Sequence, residues 1–298
     1  MSRIIKRRKF IKQGTVLTAG VIGGLPFMPS ILTAKTIPDI YVVHGDQCYD
    51  NTVKAINGLG GMSQFVTRGS KVGLLVNHAF LNIGAHVHPD MTVAIARMCF
   101  DAGAAEVRLI KSPSMGYFNR ASKDHQAKDV IREIKDPSDD YKTIAIKDGI
   151  ALKEAEVMKE LLESDVFINT AIVKNHSETF ITAILKNMMG SAPFSTCRKF
   201  HDGDDHLAQC IADINLVRKP DLCVVDALKI LATGGPIGPG LIKDTRKIYA
   251  GRDPLAMDTY GSVLLGLDPK EIKMLEFAAK HELGINDIHQ IVFEEIDG

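Results

Sequence analysis

Tryptophan is absent from the 298 residues, and aromatic side chains make up only 6% of them. A stacking platform for bases or sugars is therefore not expected. Charge of a dominant sign is missing too, because Lys plus Arg and Asp plus Glu number 36 each. No global field draws the chain to nucleic acid, and none is expected as a partner. The five cysteines, Cys48, Cys99, Cys197, Cys210 and Cys223, never form a Cys-x-x-Cys pair. That spacing excludes zinc ribbons and the common ferredoxin cluster motifs. Cys99 and Cys223 sit in apolar runs and read as small buried hydrophobes. Cys197, followed by Arg198 and Lys199, reads instead as a thiol with its pKa lowered by cations. Gly-x-Ser-x-Gly, Walker and Gly-x-Gly-x-x-Gly motifs are all lacking, which removes the usual signatures of nucleophile elbows and nucleotide loops.

The N-terminus does carry a pattern. Lys6-Arg7-Arg8-Lys9-Phe10-Ile11-Lys12 precedes a mildly apolar stretch, Gly14 to Leu25, that Pro26 and Pro29 close. A charged region, an apolar region and a polar exit make a secretory signal. It resembles the twin-arginine translocation signal, with Lys6 in place of Ser or Thr and Ile11 in place of Leu. The apolar stretch is shorter than the roughly 20 residues of a spanning helix. Cleavage after Ala34 would leave residues 1–34 as the signal and 35–298 as a single α/β domain. The expected location is the periplasm, with the twin-arginine translocase as partner during export. A retained signal would tether the protein to the membrane.

Beyond the signal, short apolar runs alternate with amphipathic segments. Strands are expected at Lys71–Asn77, Ala105–Ile110, Thr143–Ile146, Val166–Ala171, Leu222–Asp226, Lys247–Ala250 and Ile291–Glu294. Helices are expected at Asp90–Asp101, Glu154–Leu162, His206–Val217, Leu255–Leu265 and Lys270–His281. Fully apolar strands alternating with helices imply an α/β fold, a largely parallel sheet with helices on both faces. The polar stretch near 112–140, with Pro113 and Pro137, reads as an insertion.

In such sheets ligands gather beyond the carboxyl ends of strands. Those positions hold Asn77 and His78, then His86, His88, Pro89 and Asp90; Lys174, His176, Thr179, Thr182, Lys186, Asn187 and Gly190; Arg198 and His201; Asp226; Gly234, Gly235, Pro236 and Gly240; and Asp253, Pro254 and Asp258. Lys174 or His176 is the acid–base candidate. Asn77, Thr179, Thr182, Lys186, Asn187, Arg198, Gly234 and Gly235 are candidates for holding an anion. Thr179, Thr182 and Lys186, three and four apart, would share a helical face. His86, His88, His176 and His201 offer nitrogen to a transition metal, with Asp226 or Asp258 offering oxygen. His88 or Asp90 could equally cap the helix after Pro89, Asp204-Asp205 could start one, and the glycine loop could be a rigid turn. His125, His281 and His289 read as solvated.

At these residues the chain resembles domain-of-unknown-function family 362. The matching pieces are His88-Pro89; Lys174-x-His176 with Thr179, Thr182, Lys186-Asn187 and Gly190; Arg198 with His201; Gly234-Gly235-Pro236 with Gly240; and Asp253-Pro254 with Ala256 and Asp258. The match is strongest from Lys71 onward. Many members carry an appended ferredoxin module, which this chain lacks. An iron–sulfur cluster within it is therefore not expected, whereas the resemblance implies redox connections and a redox partner protein. Two readings follow: a cofactor- or metal-dependent enzyme acting on a small anionic substrate, or a non-catalytic binding protein for a small anionic ligand or metal. The leader makes the first testable claim. Replacing Arg7 and Arg8 together with Lys should leave the protein in the cytoplasmic fraction, and unchanged export would refute it.

Overall fold

Runs such as Lys71–Val76 and Val166–Val173 leave no face for water, so their strands must be covered on both sides. The computed structural model, which describes residues 37–122 and 127–298, meets that demand with one twisted sheet between two helical layers. In chain order the elements are β1 (Ile40–His44), α1 (Cys48–Gly58), β2 (Lys71–Val76), α2 (Pro89–Asp101), β3 (Glu106–Leu109), α3 (Ala127–Glu133), β4 (Tyr141–Ala145), β5 (Glu154–Met158) and α4 (Lys159–Glu163). Then come β6 (Val166–His176), β7 (Phe180–Thr182), α5 (Ile184–Asn187), α6 (Phe194–Phe200), α7 (Asp204–Ile214), β8 (Leu222–Leu231), β9 (Ile242–Gly251), α8 (Pro254–Leu265), α9 (Lys273–Lys280) and β10 (Phe293–Asp297). The leader with Arg7 and Arg8, and His125, lie outside the described residues.

The strand order is β10-β1-β9-β8-β6-β2-β3, with β7 folded back on β6. Strands β3, β2, β6 and β8 run parallel, as do β1 and β10, while β9 runs against both its neighbours. The sheet is thus largely parallel, and the fold is α/β. Alternation along the strands divides the core. Ile168, Ile172 and Val224 face α1 and α2, whereas Phe167, Val173 and Val225 face α5, α7, α8 and α9. Residues Ile37–Gly298 form one compact unit. Among the described residues no helix is long and apolar enough to cross a membrane.

Several expected elements differ. Glu154–Met158 is a strand, paired antiparallel with β4 in a separate small sheet, and only Lys159–Glu163 is helical. Thr179, Thr182 and Lys186 do not share a helix. Thr179 lies in the turn between β6 and β7, Thr182 ends β7, and Lys186 sits on α5. Strands β6, β8 and β9 extend well past their apolar stretches. The pair β1 and α1 was not foreseen. The 112–140 stretch is pinned to the body by Tyr117, fully buried with its hydroxyl 2.8 Å from that of Thr92. It returns beside β3, where Leu109 N donates to Lys135 O and Lys135 N to Val107 O, both at 2.9 Å.

His281 is not solvated, being 8% exposed at its side chain, with Nε2 2.7 Å from Oδ1 of fully buried Asp213. The other carboxylate oxygen of Asp213 accepts the backbone N–H groups of Ile150, Ala151 and Leu152 at 2.9, 2.7 and 2.7 Å. One side chain thus joins α7, the loop after β4 and the end of α9. Asp213→Ala strands those donors without water, so unfolding free energy should fall by about 3 kcal/mol or more in urea titration.

Candidate functional site

The carboxyl ends of β2, β3 and β6 and the β6–β7 hairpin surround a cavity of about 320 Å³. Its polar walls are Asn77 and His78 after β2, Lys111 after β3, Lys174 and His176 at the end of β6, Thr182 on β7, and Lys186 and Asn187 on α5. Lys174 is 1% exposed. A register shift against β8 between Ile172 and Lys174 marks the point where β6 leaves its regular pairing. Lys174 Nζ donates to Ala85 O at 2.6 Å and to Asn77 Oδ1 at 3.4 Å, and lies 4.7 Å from the Phe80 ring centroid. Gly84 brings that carbonyl close: its φ is +75°, and a Cβ there would stand 2.8 Å from Leu231 N.

Lys186 and Asn187 are held by a polar clamp. Buried Asp258 accepts Ile184 N and Leu185 N at 2.7 and 3.1 Å. Asn169, in the middle of β6, donates to Ile184 O at 3.0 Å and accepts Asn187 Nδ2 at 2.7 Å. Lys186 Nζ itself meets, among the described residues, only a thioether, Met189 Sδ at 3.5 Å. Among the described residues neither Lys174 nor Lys186 has a carboxylate within ion-pair distance. Burial, and then the charge of Lys186, lower the Lys174 ammonium to a pKa of about 7. Burial likewise lowers Lys186 to about 8, partly offset by Glu178.

The histidines add donors. His176 Nδ1 accepts Glu178 N and Thr179 N at 3.2 and 3.4 Å, so the proton of the neutral ring is on Nε2. His78 Nδ1 accepts Ser114 N at 3.2 Å, which gives the same tautomer. Burial keeps both rings neutral, with His176 lowered to about 3 and His78 to about 4, helped by Lys186 and Lys111 respectively. His78 Nε2 and Thr182 Oγ1 are buried without any partner. The one carboxylate among the described lining residues, Glu178, is already 3.0 Å from His201 Nδ1 at the rim. Three lysines, two imidazole N–H groups and the hydroxyls of Ser177 and Thr182 therefore line one cavity, whose side-chain acceptors among the described residues include the amide oxygens of Asn77 and Asn187 and the paired carboxylate of Glu178.

The candidates sort unevenly. Asn77, Lys174, His176, Thr182, Lys186, Asn187 and His201 line this cavity. Arg198 does not, lying exposed on α6. Thr179 spends its hydroxyl on Ile181 O at 3.0 Å. Gly234 and Gly235 approach the chain itself, since a Cβ at Gly235 would stand 1.7 Å from Asn175 O and one at Gly234 2.5 Å from Pro239 O. His86, His88 and Asp226 line a second cavity of about 640 Å³ with Asp46, Asp90 and Lys229. Burial raises the Cys197 thiol despite Lys111 and Lys186, so it is not an activated nucleophile.

The metal candidates do not form a centre. They are divided between two cavities and the core, and among the described residues no group of three His, Cys, Asp or Glu side chains could hold an ion. His86 is engaged at both nitrogens, by Asn82 O at 3.1 Å and Arg120 at 2.6 Å. His88 caps α2, its Nδ1 accepting Asp90 N at 3.2 Å. Asp226 accepts His88 N and Leu228 N at 2.8 and 3.0 Å, and Asp258 is the α5 anchor described above. At His176, a metal on Nε2 would require the proton to move to Nδ1, against two backbone N–H donors. His78 was a strand-end position without an assigned role, and the residues missed from sequence were Lys111 and Phe80. The strand-end rule that found Asn77 applied equally to them.

A family model described as "Domain of unknown function (DUF362)" matches residues 74–262. Every residue lining the first cavity falls within that span, whereas Asp46, Gln47 and Cys48 of the second fall outside it. The chain is also similar to a thylakoid-associated protein of Synechocystis sp., 25% identical over 236 residues, which cover 76% of this chain and 72% of that one.

The lysine shifts fix a sign. Lys174 and Lys186 are charged below about 7 and 8 and neutral above, so an anion loses its counter-charges as pH rises. Unfolded lysines keep their protons to about 10.5, so the ligand-free protein gains stability over the range from about 7 to 10.5. Sulfate, whose own charge is constant, should bind at least about tenfold more weakly at pH 9 than at pH 6.5 by calorimetry. A pH-independent affinity would contradict the assignment.

Proposed function

The chain belongs to the domain-of-unknown-function family DUF362, and from that premise and the chemistry of the site we propose that the first cavity binds a small anionic substrate and moves a proton on it. One observation carries this reading: donors and cations converge there, while the only carboxylate among the described lining residues, Glu178, is paired with His201 at the rim. Lys186 and Lys111 would hold the anionic group, with Thr182 and His78 completing its hydrogen bonds. Lys174, poised near pH 7, would accept or return the proton. The His176 Nε2–H would meet charge that develops on the substrate. Phe80, Met189 and Phe194 would limit water at the same place.

A non-catalytic binding protein is the second reading. It is favoured by the 2.6 Å bond from Lys174 to Ala85 O, which suits a fixed cation as well as a proton carrier. In either case the proposed place of action is outside the cytoplasm, supported by the Arg7-Arg8 signal pattern. The name of the Synechocystis relative puts that protein at a membrane, in keeping with a membrane-proximal role for this one.

The test is a panel of small organic anions incubated with the protein in D2O and followed by proton NMR. A substrate should lose a C–H signal to deuterium, and Lys174→Met should abolish that exchange. Lys186→Met should weaken binding about tenfold or more, the loss of one charge-assisted contact. Anions that bind without exchange or turnover would leave the binding-protein reading in place of the enzyme.

A further inference from the structure

Anion binding does not account for the apolar side of the same cavity. Phe194 lines it yet is 79% exposed. Leu81 and Ile237, 65% and 52% exposed, adjoin the lining residues Phe80 and Pro236. Asn82 Nδ2 donates to Ile237 O at 2.8 Å, which ties the two loops into one edge. Single exposed hydrophobes need no explanation, but a group bordering one polar cavity does. Lys174, His176, Thr182 and Lys186 come from β6, β7 and α5, His78 and Lys111 from the ends of β2 and β3, and the apolar groups from the loops after β2 and β8, the turn after α5 and the start of α6. A volume of about 320 Å³ corresponds to about ten waters at about 30 Å³ each. A bare carboxylate or phosphate fills only part of that.

We propose that the cavity's ligand is an amphiphilic anion, an acidic head of carboxylate or phosphate type carrying an apolar chain of several carbons. The head lies at Lys111 and Lys186, within reach of Lys174, and the chain follows Phe80, Met189, Phe194 and Pro236 outward. This rests on the anion-binding reading above and specifies its substrate class. It gives the exposed Phe194 ring a partner, and suits a cavity in which apolar groups stand beside the cations, Phe80 at Lys174 and Met189 at Lys186.

The experiment is calorimetric titration at pH 6.5 with two series, alkyl phosphates and alkyl carboxylates, each from one to eight carbons. Affinity should rise about two- to fourfold per added carbon. In Phe194→Ser, a substitution at an exposed position that does not threaten the fold, the octyl-to-methyl affinity ratio should fall about fivefold or more. A series that binds but is flat with chain length overturns the amphiphile and leaves the anion site standing. A slope equally steep in Phe194→Ser also overturns it, because the chain then lies elsewhere. If no member of either series binds, the anion site itself is wrong.

Discussion

An ammonium group sits inside this protein at the end of β6, with no carboxylate among the described residues within ion-pair distance. Lys174 belongs to β6, which pairs with β2 and β8 in the middle of the sheet, so its position is fixed by the two strands that flank it. Burying such a group is costly unless it is neutralised or bonded. Here the surrounding chain supplies a carbonyl, an amide oxygen and an aromatic face. The loop after β2 must therefore fold inward to deliver Ala85 O, which needs a glycine at 84. Asn77 is held in turn, its backbone N–H donating to Thr170 O at 3.0 Å and its carbonyl accepting Val87 N at 2.8 Å.

The second constraint is the placement of Lys186. A helix of one turn has almost no stability of its own. Asp258 and Asn169 supply what α5 lacks, by accepting its first N–H groups and binding its first carbonyl. Asn215 takes Leu185 O at 2.9 Å. This gives a physical meaning to the Asp253-Pro254…Asp258 spacing. Asp253 caps α8 through Leu255 N and Ala256 N, and five residues on, Asp258 leaves the same helix to anchor α5. Burial pushes Asp258 up to about 8 even with two donors on it. Its role is to position, and it is far from being a free ligand for a metal.

Much of this was legible in the sequence because it depends on short-range pattern. Apolar runs gave the central strands, the His88-Pro89 step gave the start of α2, and strand ends gave Lys174, His176, Lys186 and Asn187. Pairing across the sheet was not legible. The Glu154-Ala-Glu-Val-Met158 segment alternates with period two, burying Ala155 and Val157, yet the apolar positions continuing to Leu161 also suit a helix. His86 and His176 look alike as sequence. What separates them is Arg120 and the backbone of Glu178, and neither contact has a local signature. His281 looked solvated because its partner, Asp213, is 68 residues away.

The same long-range contacts decide what chemistry the site can support. A histidine is a ligand, a base or a donor according to which nitrogen the fold has already used. At His78 and His176 the fold uses Nδ1 as an acceptor, and what remains toward the cavity is an N–H. The lysines can offer only N–H while charged, and Thr182 has a hydroxyl without a partner. A ligand that supplied more donors, or a cation, would worsen the surplus. A ligand that brings lone pairs and negative charge would meet those donors. The described side chains of the cavity thus offer more donors than acceptors, and a ligand with lone pairs and negative charge would complement them.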